Sequence, residues 1–364
     1  MTAAAPTDAW AYLLAETGTG PGSPPPVLAA ATPSDGLRDR FVATIVGGAV
    51  GDALGRPVER WAREDVASTY PDGLRDYVRS PGDGSGPAGT ITDDTQLSLE
   101  VARWLVAGGV DDVPDAAEFG RRVAAWGPVA IMAGEGSEGS ARRLAAGDPW
   151  WLSGRPTIGN GVAMRSAAIG LRYQGDGGRI REAVARSGMT THRHTTGVAG
   201  GVIISSLVSH LLAGDGQEPD VAAALDAAVS GLDGVRLEGH PVGAGPATAT
   251  LVESVRSIES MLHLTTHEVF DHFFNGSRVT ESLPCALWLF FRYGHDPERL
   301  LVEAVSGGRD ADTIAAMCGN LAGARHGLDA FPARWTGDDL EFRDELETLA
   351  LELYRLWAAE RGSR

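Results

Sequence analysis

The chain has 364 residues, 43% of them hydrophobic and 22% charged, which is typical of a soluble globular protein with one large domain or two modest ones. The formal net charge of −17 argues against a nucleic-acid backbone or an anionic membrane as the main partner, because both repel an acidic surface. No apolar run reaches the roughly 18–20 residues that span a bilayer, so we expect no membrane partner.

The first 36 residues are rich in Ala, Pro, Gly and Thr, and no basic segment precedes an apolar one as in a secretory signal. We therefore predict a flexible N-terminal arm over 1–36, outside the core, followed by one domain over 37–364. The alternative for the arm is that residues 10–14 form one helical turn that docks on the domain.

The first firm helix is predicted over 39–54, where Phe41, Ile45 and Ala49 are among the apolar residues at helical spacing. Gly55 and Pro57 end it, and Glu59 lies on the following loop. By itself a loop glutamate is most simply a solvated charge. Residues 71–90 are rich in Gly, Asp, Ser and Pro, and a loop of this length suits a lid or an entrance to a site.

Two distant segments place carboxylates and hydroxyls where a glycine-rich turn enters an apolar helix. The first is 89–99, with Thr92, Asp93 and Asp94 at the start of a helix predicted over 93–107. The second is 307–317, with Asp310, Asp312 and Thr313. Together they would supply an all-oxygen cage for hard cations, Mg²⁺ or Mn²⁺ rather than zinc. The alternative is a capping box, with Asp93 at the N-cap and Gln96 three residues later, and no metal.

Three further polar turns stand ahead of predicted helices. Glycines in 134–140 could wrap backbone amides around a diphosphate, or could form a plain flexible loop. Residues 159–161 open a helix over 162–173, which Asn160 could simply cap. His192 and His194 precede a helix over 198–212, and no cysteine or further histidine completes a transition-metal site with them.

The rest of the chain is helical by pattern, and alternating β-branched runs are nearly absent. The further helices are predicted over 220–232, 246–262, 282–293, 297–306, 310–326 and 338–360. Cys285 and Cys318 lie in apolar helical patterns and are predicted to be buried free thiols, as in a reducing compartment, so we expect a cytoplasmic protein. The fold class predicted is all-α, a single compact orthogonal multi-helix bundle.

Five segments, in this order, resemble the ADP-ribosylglycohydrolase family, which includes dinitrogenase-reductase-activating glycohydrolases and ADP-ribosyl-acceptor hydrolases. They are residues 51–59, 92–96, 159–165, 191–192 and 308–313, so the resemblance runs from about residue 37 to residue 326. It implies the family's all-α fold with a binuclear metal site. It also implies that Glu59 lies on a mobile flap over that site.

The resemblance implies roles for individual residues. Two divalent cations, Mg²⁺ or Mn²⁺, are expected on Thr92, Asp93, Asp94, Asp310, Asp312 and Thr313, with Asp312 bridging both. Catalytic roles are expected for Glu59 and Asp310, since either Glu59 or an aspartate ligand could activate the water. Contacts with ADP-ribose are expected from Gly134, Gly136, Ser137, Gly159, Asn160, Gly161, Met164, His192 and Leu287, the last near the adenine or its ribose.

The implied activity is metal-dependent hydrolysis of the glycosidic bond between ADP-ribose and an acceptor, most simply an arginine or serine side chain. The expected partner is therefore an ADP-ribosylated protein or a small ADP-ribosyl compound. Two alternatives remain open at this point. One is a hydrolase for another linkage, such as O-acetyl-ADP-ribose, poly-ADP-ribose or a modified nucleobase. The other is a protein that binds ADP-ribose without cleaving it.

Overall fold

Helices form almost all of the regular structure in the computed structural model, which describes residues 4–18, 25, 28–80, 86–110, 112–243 and 247–362. In those residues the helices are α1 (Ala9–Glu16), α2 (Asp35–Gly55), α3 (Arg63–Thr69), α4 (Asp93–Ala107), α5 (Ala116–Trp126), α6 (Glu135–Ala145), α7 (Trp150–Ser153), α8 (Gly161–Arg165), α9 (Ala167–Arg172), α10 (Gly177–Met189), α11 (Thr195–Ala213), α12 (Val221–Val229), α13 (Leu251–Met261), α14 (Thr266–Phe273), α15 (Val279–Tyr293), α16 (Pro297–Val305), α17 (Ala311–His326) and α18 (Arg343–Gly362). Short 3₁₀ turns cover Arg56–Val58, Gly127–Val129, Ser230–Leu232 and Leu328–Ala330. Strands β1 (Gly239–Pro241) and β2 (Thr248–Thr250) pair antiparallel.

The architecture is mostly helical, which confirms the predicted all-α character, while the orthogonal arrangement of the bundle stays a prediction. The short β1–β2 pair is an addition that the sequence did not indicate. Each strand has only three residues, too few for an alternating pattern to stand out. Pro246, where a helix was predicted to begin, lies outside the described residues, as do 1–3, 19–24 and 26–27 of the predicted arm and 81–85 of the predicted lid loop.

Helices α2 and α17 pack backbone against backbone at the centre of the fold. A Cβ added to Gly47 would lie 2.5 Å from the carbonyl oxygen of Gly319, closer than real Cβ atoms come to such an atom. Farther along the pair, a Cβ on Gly55 would overlap the backbone of Asp312. Glycine is needed at these positions because only a residue without a side chain allows so close an approach. The contact fixes the start of α17, where Asp312 lies, against the end of α2.

Helix α11 is the most apolar long helix and is central to the core. By length and composition alone α11 could cross a membrane, whereas we expected no apolar segment long enough to do so. In the structure, 89% of its most apolar 18-residue window is buried inside the fold. It packs against α8, α9, α10 and α12. A helix that is apolar on all sides is expected in the core of a large helical protein.

Two local predictions need correction. The predicted glycine-rich loop over 134–140 is mostly helix, because α6 starts at Glu135 and only Gly134 precedes it as N-cap. The helix predicted over 162–173 is two short helices, α8 and α9, which meet at Ser166. Ser166 Oγ donates a 2.6 Å hydrogen bond to the carbonyl of Val162, and serine side chains that bond to the preceding turn often bend helices.

Part of the predicted N-terminal arm packs against the domain. Helix α1 buries Trp10 and Leu13, and Glu182 on α10 accepts hydrogen bonds from the backbone N–H groups of Ala9 and Trp10 at 3.0–3.2 Å. A helix N-terminus leaves such donors without partners inside the helix, and a carboxylate satisfies both them and the helix dipole. Residues 9–16 therefore form the docked helix that was the alternative for this segment. The boundary at residue 36 stays a prediction.

Candidate active site

One cavity of about 770 Å³ collects nearly all the residues that the sequence singled out. The first turns of α4, α6, α8 and α17 form much of its wall, together with the Glu59 turn and the segment between α14 and α15. A cavity of this size suits a ligand as large as a nucleotide. The predicted residues that line it are Glu59, Asp93, Asp94, Gly134, Gly136, Ser137, Gly159, Asn160, Gly161, Met164, His192, Asp310, Asp312 and Thr313.

Two predicted residues do not line the cavity. Leu287 is fully buried in α15, six residues or about 9 Å along the helix from the lining residue Glu281. The structure thus places it in the core, and its contact with the adenine or its ribose stays a prediction. Thr92 is also fully buried. Its Oγ1 accepts a 3.2 Å hydrogen bond from the backbone N–H of Asp94, so it caps α4, and its role as a metal ligand stays a prediction.

A buried aspartate that the sequence analysis did not select holds the acidic turn of α4. Asp52 accepts hydrogen bonds from the backbone N–H groups of Thr92 and Thr95 at 3.0–3.1 Å, and from Thr95 Oγ1 at 2.6 Å. These bonds fix the turn that carries Asp93 and Asp94 against α2. The sequence did mark Asp52, because this residue belongs to segment 51–59, one of the five that carry the family resemblance.

The capping-box alternative is wrong for α4. The N-cap is Thr92, and the backbone N–H of Asp93 donates to the carbonyl of Ile131 at 2.9 Å rather than to Gln96. Gln96 Oε1 instead accepts from Trp126 Nε1 at 2.9 Å and from the N–H of Ile131 at 3.0 Å. Helix capping therefore does not account for the side chain of Asp93.

Capping does not account for Asp310 either. It occupies the N-cap position of α17, but its side chain makes no capping hydrogen bond. Its Oδ2 accepts a 2.6 Å hydrogen bond from the side-chain amide of Asn160, which also donates to Ser282 Oγ at 2.9 Å. Asn160 makes no side-chain cap on α8, so the alternative that it simply caps that helix is wrong. It joins the acidic turn to the 159–161 turn.

Asp93, Asp94 and Asp312 are buried at the two helix starts, and within the described part of the chain none of them forms an ion pair. Asp94 Oδ1 and Asp312 Oδ1 are buried atoms with no hydrogen-bond partner among the described residues. Burial raises the pKa of Asp93, Asp94 and Asp312 well above the ordinary value, and neighbouring carboxylates raise it further. Burial also raises the pKa of Asp310 to about 7. The cluster would be stabilised by a bound positive charge.

These residues fit a hard divalent cation. The donors are carboxylate and hydroxyl oxygens, which Mg²⁺ and Mn²⁺ prefer, and two of the carboxylate oxygens have no other partner among the described residues. Among all the described residues, no three His, Cys, Asp or Glu side chains lie close enough together to hold a metal ion as they stand. The types of donor atom fit such an ion, and the binuclear centre stays a prediction.

Glu59 faces the same cavity from the turn that follows α2. Its side chain is 11% exposed, Oε1 pairs with Arg60 Nε at 3.1 Å, and Oε2 is buried without a hydrogen-bond partner in the described structure. Burial raises its pKa. Backbone bonds tie this turn to the start of α17, from Arg60 N to the carbonyl of Arg309 at 2.6 Å and from Arg309 N to that of Trp61 at 2.9 Å.

Several lining residues were not predicted, and four of them have left-handed backbone conformations. These are Arg60, Met132, Phe274 and Arg309, with φ between 55° and 67°. Residues other than glycine rarely adopt such angles, and strained backbone tends to gather at functional sites. The guanidinium of Arg309 lies 4.1 Å from the centroid of the Phe274 ring. No sequence motif marks the segment around Phe274, which is why it was missed.

Comparison with known proteins places this chain in a class of glycosidic hydrolases. The family model for ADP-ribosylglycohydrolase matches residues 33–362, most of the chain. The chain therefore belongs to the ADP-ribosylglycohydrolase family and is an enzyme of that class. The resemblance carried by the five segments is confirmed.

Named relatives lie in bacteria and animals. The chain is 28% identical over 302 residues to ADP-ribosyl-[dinitrogen reductase] glycohydrolase of Rhodospirillum rubrum, covering 82% of this chain and 90% of the relative. It is 27% identical over 343 residues to human ADP-ribosylhydrolase ARH3, covering 87% and 93%. A solved structure described as an ADP-ribosylglycohydrolase-related protein complex matches with a TM-score of 0.68 and 30% identity, over 89% of this chain and 100% of that one.

Proposed function

We propose that the protein is a metal-dependent hydrolase that cleaves the glycosidic bond between ADP-ribose and a modified acceptor, and so releases ADP-ribose. The acceptor proposed is a protein side chain such as arginine or serine. Membership of the family supports the reaction class. The printed names of the Rhodospirillum rubrum and human relatives support ADP-ribosyl compounds as the substrate class.

The observation that carries this proposal is the pair of carboxylate oxygens, Asp94 Oδ1 and Asp312 Oδ1. They come from different helices, α4 and α17, and neither has a hydrogen-bond partner among the residues that the structure describes. A buried polar atom without a partner costs free energy, and more if it is charged. Such atoms are expected where a ligand completes the site.

We propose that Asp93, Asp94, Asp310, Asp312 and Thr313, with Thr92 as a further ligand, would hold two divalent cations, Mg²⁺ or Mn²⁺. Bound ions would supply electrostatic polarisation of the vicinal hydroxyls on the ribose beside the bond that breaks. Thr313 Oγ1 donates to Asp94 Oδ2 at 3.3 Å, so the two acidic turns already contact each other through their side chains.

The protein's own acid–base groups are Glu59 and Asp310. Burial raises the pKa of both in the absence of metal. A bound cation would favour the ionised form of Asp310, so Glu59 is the group that can hold a proton more readily than an exposed carboxyl. In the proposed reaction one of them protonates the leaving acceptor atom or takes the proton from the attacking water. Glu59 is our first choice, because its Oε2 is free of hydrogen bonds to the described residues.

The remaining lining residues would hold ADP-ribose. The turn 159–161 and the first turn of α6 present backbone next to His192, which lies at the same wall of the cavity. Asn160 links that wall to Asp310 through its 2.6 Å hydrogen bond. This hydrogen bond joins the wall that would bind ADP-ribose to the acidic cluster. Such a link suits an enzyme that must place one ribose of the ligand beside the carboxylates.

Release assays would test the proposal against its alternatives. The purified protein would be incubated with arginine-linked, serine-linked, O-acetyl- and polymeric ADP-ribose substrates, with Mg²⁺ or Mn²⁺ and then with a chelator. We expect metal-dependent release of ADP-ribose from at least one protein-linked substrate. Release only from the small or polymeric compounds would instead support a hydrolase for another linkage. Tight ADP-ribose binding without any release would show a binding protein.

A further inference from the structure

A buried chain of hydrogen bonds runs from Arg165 through Thr191 to His192. Arg165 Nη2 donates to Thr191 Oγ1 at 2.7 Å, and Thr191 Oγ1 lies 2.8 Å from His192 Nδ1. Arg165 and Thr191 are fully buried, and His192 is 5% exposed. The guanidinium is itself held in place, because its nitrogen atoms also donate to the backbone carbonyls of Gly161 and Ser187 at 2.9 and 3.0 Å.

The donor and acceptor chemistry of the three side chains favours one arrangement of the hydrogens. A guanidinium can only donate, so Thr191 Oγ1 accepts from Arg165 and has one hydrogen left to give. That hydrogen can go to His192 Nδ1 at 2.8 Å or to the carbonyl oxygen of Gly188 at 3.4 Å. A hydroxyl bond of 2.8 Å is near the preferred length, whereas 3.4 Å is long. The shorter contact therefore favours donation from Thr191 to Nδ1, which places the ring hydrogen on Nε2.

Nε2 is the ring atom on the side of the cavity. A Cβ added to Gly159 or to Gly161 would lie 3.0 Å from Nε2, and one added to Gly136 would lie 3.7 Å from it. These three glycines line the cavity, and a side chain at any of them would approach the edge of the His192 ring. Burial, with a smaller effect of the nearby Arg165, lowers the pKa of His192 to about 3, so the ring is neutral at physiological pH.

We propose that Arg165 and Thr191 are positioning residues that hold His192 as its neutral Nε2–H tautomer, so that the ring donates a hydrogen bond to an oxygen of the ligand. The opposite tautomer would present a lone pair to the cavity and would repel a phosphate or other acceptor oxygen. The identity of the ligand, ADP-ribose, rests on the proposed function. The tautomer itself does not, because the three protein side chains determine it.

The tautomer can be observed directly by ¹⁵N NMR of the full-length protein labelled at histidine, with the His192 signals assigned from a His192→Gln variant. We expect a pyrrole-type shift at Nε2 and a pyridine-type shift at Nδ1. Thr191→Val, which removes the hydroxyl with little change of shape, should lose this pattern, and Thr191→Ser should keep it. Thr190→Val is the matched control, since Thr190 Oγ1 bonds to the Ser187 carbonyl at 2.6 Å and not to His192.

A pyrrole-type shift at Nδ1 in the wild type would overturn the proposal. So would a Thr191→Val variant that folds and keeps the wild-type tautomer. If Thr191→Val fails to fold, the ¹⁵N spectra of the wild type and of Thr191→Ser still test the proposal. Both must show the His192 ring hydrogen on Nε2 alone.

Calorimetry with ADP-ribose tests the second half of the proposal. Thr191→Val should weaken binding by about 2- to 10-fold, the range that one net hydrogen bond contributes, and Thr191→Ser and Thr190→Val should bind within about twofold of the wild type. If Thr191→Val changes the tautomer but binds ADP-ribose as tightly as the wild type, the donor role of His192 is wrong. If the wild type binds no ADP-ribose at all, the proposed function fails, while the NMR result on the tautomer stands by itself.

Discussion

Thr313 donates a hydrogen bond to Asp94 across 219 positions of the sequence, with Oγ1 and Oδ2 3.3 Å apart. Thr313 lies in the first turn of α17 and Asp94 in the first turn of α4, so this bond joins the two acidic turns that the sequence presents separately. It leaves Asp94 Oδ1 without a partner among the described residues. The fold thus brings the two helix starts together and keeps carboxylate oxygens available at the cavity.

Glu59→Gln tests the acid–base assignment. The amide keeps the size of the side chain but cannot exchange a proton, so turnover should fall by about 100-fold or more while ADP-ribose binding stays within several-fold. Steady-state kinetics and calorimetry would measure the two effects. Glu64→Gln, on the exposed side of the neighbouring helix α3, should leave both unchanged. Retained binding with unaltered turnover would move the role to another group, of which Asp310 is the first candidate.

Gly55→Ala tests whether the contact between α2 and α17 supports the acidic cluster. A Cβ at this position would overlap the backbone of Asp312, so we expect a loss of about 1–3 kcal/mol in the free energy of unfolding and a weaker response to metal. Gly36→Ala is the control in the same helix, since a Cβ there meets nothing within 4 Å. It should be neutral or stabilising by up to about 1 kcal/mol. Equal effects of the two substitutions would contradict the role of the contact.

Much of this architecture could be predicted from the sequence because helices carry strong local signals. The helix predicted over 93–107 has those bounds in the structure, and α17 starts one residue after the prediction. Helical spacing of apolar residues and turn residues at the ends are short-range features. The two acidic motifs could also be recognised in the sequence, because each lies within a few residues of a helix start.

What could not be predicted depends on long-range contacts. Asp52 stabilises the Thr92 turn through bonds that span 40 positions or more, and its burial is invisible in the sequence. Phe274 and Arg309 meet only because α14 ends beside the start of α17. Leu287 was expected at the ligand, but which face of an apolar helix meets a cavity depends on the packing of all its neighbours.

Removal of the first 18 residues tests the docking of α1. Trp10 and Leu13 are buried against the domain, so their loss exposes apolar surface on α10 and should lower the thermal midpoint by several degrees. Removal of residues 1–7 alone is the control, because Asp8, the N-cap of α1, and the helix itself remain. Thermal scans of the two truncated proteins would show whether α1 contributes to stability. An unchanged midpoint after the longer deletion would show that residues 1–18 add nothing to stability.

His192→Gln should make folding less sensitive to acid. The pKa of His192 is lowered by burial from 6.5 to about 3 in the folded protein. Between those two values the unfolded chain binds a proton that the folded chain does not, so this residue makes the free energy of unfolding fall as pH falls through that window. Urea unfolding at about pH 7 and about pH 4.5 should show a smaller loss for the variant than for the wild type.

The control for this pH dependence is His263→Gln, at an exposed histidine on the surface. Its loss of stability between the two pH values should match that of the wild type. A His192→Gln variant as acid-sensitive as the wild type would mean that His192 is not held neutral in the folded protein.

The metal response of Asp312→Asn tests the central claim most directly. Ligands that bind only the folded state raise its stability by mass action, by about 2.7 kcal/mol at a concentration 100-fold above Kd. Mg²⁺ or Mn²⁺ should therefore raise the thermal midpoint of the wild type and of Asp329→Asn, which removes the same charge at an exposed position. Asp312→Asn should show little shift and little recovery of activity in excess metal, because a neutral amide is a poor ligand for a hard dication. A wild-type shift and wild-type activity in Asp312→Asn would contradict the two-metal account.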